Sequence, residues 1–268
     1  QMRNLKRALS LALAAIMLVG MMVVSASAAS YNNLTDKDEI VNKDAVSMLV
    51  SLGIIEGKPD GSYGPTENVD RAQMAKMLSV IMNKGVDNSA LYQSVNSGLV
   101  DVNTNWAKGH INYCYTTGII AGRGNGKFDP SATVTALEAA KMLLVAVGYD
   151  PKIEGFEGAD WAINVSVRAD EQGIFEGFTK DLSAPLNRDD AALLIYNALD
   201  VEMIQSYTTN NYPIVYSDHR TILSDKYGVI KVEGVVTANE WAILDDDTDT
   251  ALQEGKTRIY NPDGILST

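Results

Sequence analysis

A frame made of Gly, Ile, an apolar residue, any residue and Gly, with a Pro twelve positions after the first Gly, occurs three times in this chain. The copies are Gly53-Ile54-Ile55-Glu56-Gly57 with Pro65, Gly118-Ile119-Ile120-Ala121-Gly122 with Pro130, and Gly173-Ile174-Phe175-Glu176-Gly177 with Pro185. An internal repeat constrains the fold more than any local motif, because copies of one supersecondary unit bury their apolar faces against one another. Function is therefore to be sought between copies.

Each copy reads as helix, tight loop, helix. Before the first frame, Val41, Ala45, Met48, Leu49 and Leu52 recur at helical spacing on one face. The frame's first Gly then ends the helix as a C-cap of positive φ. The loop that follows carries Asp60-Gly61 in copy one and Asn125-Gly126 in copy two, both tight-turn signals, and the aromatic at the same place, Tyr63 or Phe128, pins it down. Copy three has neither. A second helix opens on Asp70-x-x-Gln73, Thr135-x-x-Glu138 or Asn187-x-x-Asp190, each an N-cap residue with an acceptor at the third helical position. Its apolar stripe is Met74, Met77, Leu78 and Ile81 in copy one, Ala139, Met142, Leu143 and Ala146 in copy two, and Ala191, Leu194, Ile195 and Ala198 in copy three, after a three-residue deletion.

The units span roughly 34–82, 99–148 and 156–203, and one helical hairpin buries too little surface to stand alone. The expected fold is mainly α, three helix-loop-helix repeats joined in one bundle, followed by a short β-rich segment. The boundaries drawn are a signal peptide at 1–28, repeats at 29–95, 96–152 and 153–205, and at 206–268 a linker and the start of a larger β-rich region. Tyr207 to Tyr216 has linker texture, and Gly228 to Leu244 reads as strands.

Arg3, Lys6 and Arg7 before the apolar run Ala8 to Val24, with the small-residue site Ala26-Ser27-Ala28, form a secretory signal rather than a membrane anchor. The mature chain is expected to begin near Ala29. The full chain holds 22 basic and 34 acidic residues, and losing the three basic residues of the signal makes it more acidic still. Nucleic acid is excluded as a partner, since neutralising phosphates needs a basic surface. A hydrophobic share of 46% supplies a packed core. The lone Cys114 makes no internal disulfide and reads as a small buried hydrophobe.

The three frames, the Asp101 and Trp106 that open copy two, and the second-helix starts together resemble the S-layer homology domain, a family usually present as three tandem copies in exported bacterial proteins. The resemblance implies a pseudo-threefold bundle in which each copy gives a helix to the centre. It also implies grooves between copies that hold a pyruvylated secondary cell wall polysaccharide. The protein would then be a non-catalytic anchor of a secreted surface protein, held at the cell wall in an S-layer-like coat, with neighbouring copies in a lattice as further partners. No cofactor is implied. The rival reading is the wall anchor of a carbohydrate-active enzyme whose catalytic domain lies beyond residue 268.

Position by position, the family's basic residue after the N-cap corresponds to Arg71 and Arg188, while copy two has Ala136, so its groove is expected to bind weakly. The first turn of a helix carries partial positive charge, which disfavours Arg there by about 0.3 to 1 kcal/mol. A guanidinium beside helix N–H groups is a receptor for a carboxylate; the alternative is a surface pair with Asp70 or Asp189. Trp106 and Trp161 each stand twelve residues before a frame, either as sugar platforms or, as a Trp here more often is, core anchors. Asp36 and Asp101 could accept from sugar hydroxyls or, the preferred reading, cap the first helix. Gly57, Gly122 and Gly177 complete the candidate polysaccharide-binding set.

Two histidines, His110 and His219, and one Cys offer no ligand set for a metal. The run Asp245-Asp246-Asp247-Thr248-Asp249 lacks the Gly and distal Glu of a calcium loop and reads as a solvated turn. Catalysis within these residues is not expected.

Overall fold

The computed structural model describes residues 30–230, 234–241, 252–261 and 264–267. The signal segment and the acidic run Asp245 to Asp249 lie outside them. Among the described residues the chain divides into a helical unit ending at Gly228 and a second unit from Val229 onward.

The helical unit carries α1 (Lys43–Ser51), α2 (Arg71–Met82), α3 (Lys108–Thr116), α4 (Ala136–Val147), α5 (Trp161–Glu171) and α6 (Arg188–Leu199), two per copy. Each first helix ends as its glycine requires: Gly53, Gly118 and Gly173 have φ of 71°, 80° and 69°, a region closed to most side chains. The second helices start at the expected caps. The capping box is reciprocal at Asp70 with Gln73 and at Thr135 with Glu138; in copy three only Asn187 acts, accepting from Asp190 N at 2.7 Å.

The copies close on one another through backbone hydrogen bonds just before these caps. Val69 N donates to Leu186 O at 2.8 Å, Leu186 N to Val134 O at 2.8 Å, and Val134 N to Val69 O at 2.9 Å. This cyclic exchange is the pseudo-threefold axis. Its three side chains are buried. Around it α4 packs between α2 and α6, and each first helix lies on the second helix of the preceding copy: α3 on α2, α5 on α4, and α1 on α6. One continuous core results. It holds the periodic residues of all three second helices apart from Met77, which is half buried, while Val41 lies ahead of α1 and is 82% exposed.

Residues 206–228, linker-like in composition, pack on this core. The strands β1 (Ile204–Tyr207) and β2 (Pro213–Val215) pair antiparallel, and the short α7 (Ile222–Tyr227) lies against α2 and α6 with Tyr227 Oη donating to Ile81 O at 3.3 Å. Tyr207 Oη donates to Glu154 Oε1 at 3.0 Å and accepts from Asp150 N, so the aromatic residues of this stretch serve as fasteners. In the second unit β3 (Val235–Ala238), β4 (Arg258–Asn261) and β5 (Gly264–Ser267) form an antiparallel sheet in chain order. Of the stretch read as strands, Val235 to Ala238 is one.

Cys114 is fully buried with Sγ 3.4 Å from Ala75 O, and burial pushes its thiol well above the usual range, so it is a core residue and not a nucleophile. His110, at the contact of α2 with α3, is also buried, with Nδ1 2.6 Å from Ser79 Oγ and Nε2 3.6 Å from Asp87 Oδ2. Burial lowers its pKa, opposed by Asp87 and helped by Lys76. A group with a folded pKa below its unfolded 6.5 lets the unfolded state take up more protons, so stability is lost as pH falls through 6.5 toward the folded value. The same place in copy three is the buried Val165, so the backbone accepts valine there. His110→Val is expected to flatten the decline of melting temperature between about pH 7.5 and pH 5.5 relative to the unmutated chain, at half-unit steps around an ordinary histidine pKa; parallel curves would show that His110 carries none of it.

Candidate functional site

Two cavities repeat one arrangement. The larger, about 430 Å³, takes Ala121, Gly122 and Arg123 from the copy-two frame, Glu138, Lys141 and Met142 from α4, Trp161 from copy three and Arg71 from copy one. The smaller, about 210 Å³, takes Glu56, Gly57 and Lys58 from the copy-one frame, Gln73, Lys76 and Met77 from α2, Trp106 from copy two and Arg188 from copy three. Position by position these are the same residues of the repeat. Each groove is built by all three copies.

The arginines hold the loops. Arg71 Nε donates to Phe128 O and Nη2 to Ala121 O, both at 2.8 Å, with the guanidinium 4.4 Å above the centre of the Phe128 ring. Arg188 repeats this on Tyr63 O at 2.8 Å and Glu56 O at 3.2 Å, 4.7 Å above the Tyr63 ring. Neither pairs with the neighbouring aspartate: Asp70 caps its own helix, and Asp189 accepts from the backbone of Val41 and Asn42. These contacts engage two of the five N–H donors of each guanidinium. Burial first, and then the nearby Arg123, push Arg71 down to about 10, which leaves it charged at neutral pH. Burial also lowers Lys141, whose ammonium lies 5.7 Å from the centre of the Trp161 ring.

Three expectations change. The helix N–H groups are not open to a ligand, because Arg71 N and Ala72 N donate to Ala132 O and Pro130 O, and Arg188 N and Asp189 N to Glu67 O and Pro65 O. Pro65 and Pro130 thus each supply a carbonyl that caps a helix of another copy. Second, Ala136 does not face its own frame. Leu137 N donates to Leu182 O at 3.1 Å, which sets the start of α4 against copy three. The arginine-less position therefore belongs to the third frame, and the copy-two frame has Arg71. Third, Trp106 is not a core anchor: it is 58% exposed and lines the smaller cavity. Trp161 is half buried, packed on the core and lining the larger cavity.

Asp36 and Asp101 cap no helix; each clamps the loop of its own copy. Asp36 accepts from Tyr63 N and Gly64 N at 2.7 and 2.8 Å, and Asp101 from Phe128 N and Asp129 N at 2.9 and 2.8 Å. Burial raises both carboxyls, and the amide hydrogen bonds outweigh it, so both sit below the usual range. Gly122 must be glycine because a Cβ there would stand 2.8 Å from Lys127 O. Gly57 lines the smaller cavity, while Gly177 takes φ of 75° beside Leu193. The lysines Lys76 and Lys141, with Arg123 and Glu138, were missed. The signal for the two lysines was recurrence at one offset, legible once the grooves are known to repeat; Arg123 and Glu138 have Lys58 and Gln73 in their places and carried no such signal.

Two segments match the S-layer homology domain, residues 33–75 and 100–140. The chain is 28% identical over its whole length to a cell surface protein of Thermoanaerobacter kivui, covering 32% of that protein. It is 34% identical over 42% of its length to an S-layer protein of Bacillus licheniformis, covering 12% of it, and 28% identical over 73% to the middle cell wall protein of Brevibacillus brevis, covering 18%. The chain thus spans a third or less of these relatives. The family and these likenesses support a cell wall location at the cell surface. The two S-layer homology segments hold both aspartate clamps and both aromatic-pinned loops. The third unit lies outside them; Phe156 stands in the place of the clamp, and its loop lacks the turn dipeptide.

Asp101→Ala strands two loop amides, and losing hydrogen bonds to a charged group costs about 2 kcal/mol. Urea denaturation of this variant is expected to show an unfolding free energy lowered by that amount at an unchanged slope, and so a lower midpoint. An unchanged midpoint would show that the clamp is dispensable.

Proposed function

We propose that this chain is the non-catalytic wall-anchoring part of an exported surface protein, and that the two cation-lined grooves bind an anionic, pyruvylated secondary cell wall polysaccharide. One observation carries the reading. In two of three places the repeat brings together an arginine of one copy, a lysine of the second and a tryptophan of the third. A guanidinium and an ammonium beside a tryptophan face suit a sugar bearing a carboxylate: the cations take the charge and the ring takes the apolar sugar face. In an acidic chain this convergence is selective, because most of the surface repels such a polymer.

The third frame lacks this set of side chains. Ala136, Leu193 and Val41 stand where the other copies have arginine, lysine and tryptophan, and Lys180 is paired with Asp190. The anchor would be bivalent, and two linked sites hold a polymer far more tightly than either alone.

Co-sedimentation with purified walls tests this. The chain is expected to pellet with native walls and to stay soluble with walls stripped of their polysaccharide. Trp106→Ala and Trp161→Ala together are expected to weaken pelleting by at least about tenfold, corresponding to about 1.4 kcal/mol; Arg71→Ala with Arg188→Ala is expected to do the same, and Ala136→Arg to have no weakening effect. Equal pelleting with stripped walls would end the proposal.

A further inference from the structure

Granted that both grooves bind an acidic glycan, on which everything below rests, they differ at one pair of positions. In the larger groove Arg123 follows the frame and Glu138 stands at the third position of α4; in the smaller one the same places hold Lys58 and Gln73. Glu138 does two things. Its Oε2 accepts from Thr135 N at 3.1 Å, completing the cap, and its Oε1 holds Arg123 Nη2 at 2.8 Å. Gln73 performs the same capping with Oε1, 3.0 Å from Asp70 N. The cap therefore needs no carboxylate, and Lys58 is turned instead to Glu67, which does not line the cavity. The negative charge of Glu138 acts on Arg123.

Two guanidinium groups line the larger groove, those of Arg71 and Arg123, and Arg123 adds to the forces that drive a proton off Arg71. Like charges in one partly desolvated cavity repel, and a counter-charge between or beside them relieves the repulsion. Glu138 supplies it within the chain. A carboxylate arriving on a ligand would supply it better placed, and Arg123, whose side chain is 41% exposed, has room to turn toward it.

We propose that Arg123 is a second ligand-gripping residue of the larger groove, acting with Arg71 on a glycan carboxylate, and that Glu138 sets the affinity by competing for it. The larger groove, with twice the volume and a second guanidinium, is then the tighter of the two sites for a carboxylate-bearing glycan.

The test uses the full chain carrying Trp106→Ala, an exposed position, to silence the smaller groove. The probe is soluble polysaccharide released from purified walls, followed by calorimetric titration. Adding Glu138→Gln, the residue copy one already uses there, is expected to leave the melting temperature unchanged and tighten binding about fivefold. Adding Arg123→Gln is expected to weaken binding about tenfold, and Glu138→Gln together with Arg123→Gln to bind no better than Arg123→Gln alone. Unchanged or weaker binding for folded Glu138→Gln, or unchanged binding for Arg123→Gln, overturns the proposal. A parent chain that binds no polysaccharide overturns the reading of the groove itself, and this proposal with it.

Discussion

Three amide-to-carbonyl bonds, passed from Val69 to Leu186 to Val134 and back, hold this structure to its shape. Each is worth only about 1 kcal/mol net. Their weight comes from position: they sit in the core immediately before three helix starts, where each also removes a backbone group that burial would leave unpaired. Once closed, the ring decides where α2, α4 and α6 begin. The first residue of each is thereby aimed at the loop of another copy. Arg71 and Arg188 reach loop carbonyls across the boundary because of this, and Ala136 meets Leu182 and its neighbours for the same reason.

The grooves follow from that offset. A helical hairpin on its own would carry its frame and its lysine on one side and, in copies one and three, send its N-terminal arginine away from them to another copy's loop, with nothing to enclose a ligand. Closing three hairpins head to tail lets one copy bring the loop and lysine, the next the tryptophan, and the remaining one the arginine. The aspartate clamps and buried Tyr63 and Phe128 keep the loops rigid, so the cations are placed before a ligand arrives. Pre-placement of this kind reduces the ordering that binding must otherwise impose.

Much of the architecture was legible in the chain. The glycine frames named the helix ends, the capping patterns named the helix starts, and the apolar stripes at one offset named the core, since each depends on neighbouring residues and backbone geometry alone. What could not be read was partnership. The unfavourable placement of arginine at a helix start correctly flagged Arg71 and Arg188, yet the helix amides beside them are taken by Pro130, Pro65 and their neighbours from other copies. Asp36 and Asp101 look like helix caps by local rules, and they reach a loop twenty-seven residues on. Trp106 looked like a core anchor because its burial depends on a neighbour that the sequence does not name.

By itself, then, the sequence determined that this protein is three related helical hairpins, acidic overall, with function to be sought between the copies. Those facts are written in local periodicity and in recurrence. Only the tertiary structure decided which copy serves which groove, because that depends on the direction in which the ring of backbone bonds closes. The same three hairpins closed in the other sense would have put Arg71 on a different loop and left Ala136 facing a different frame.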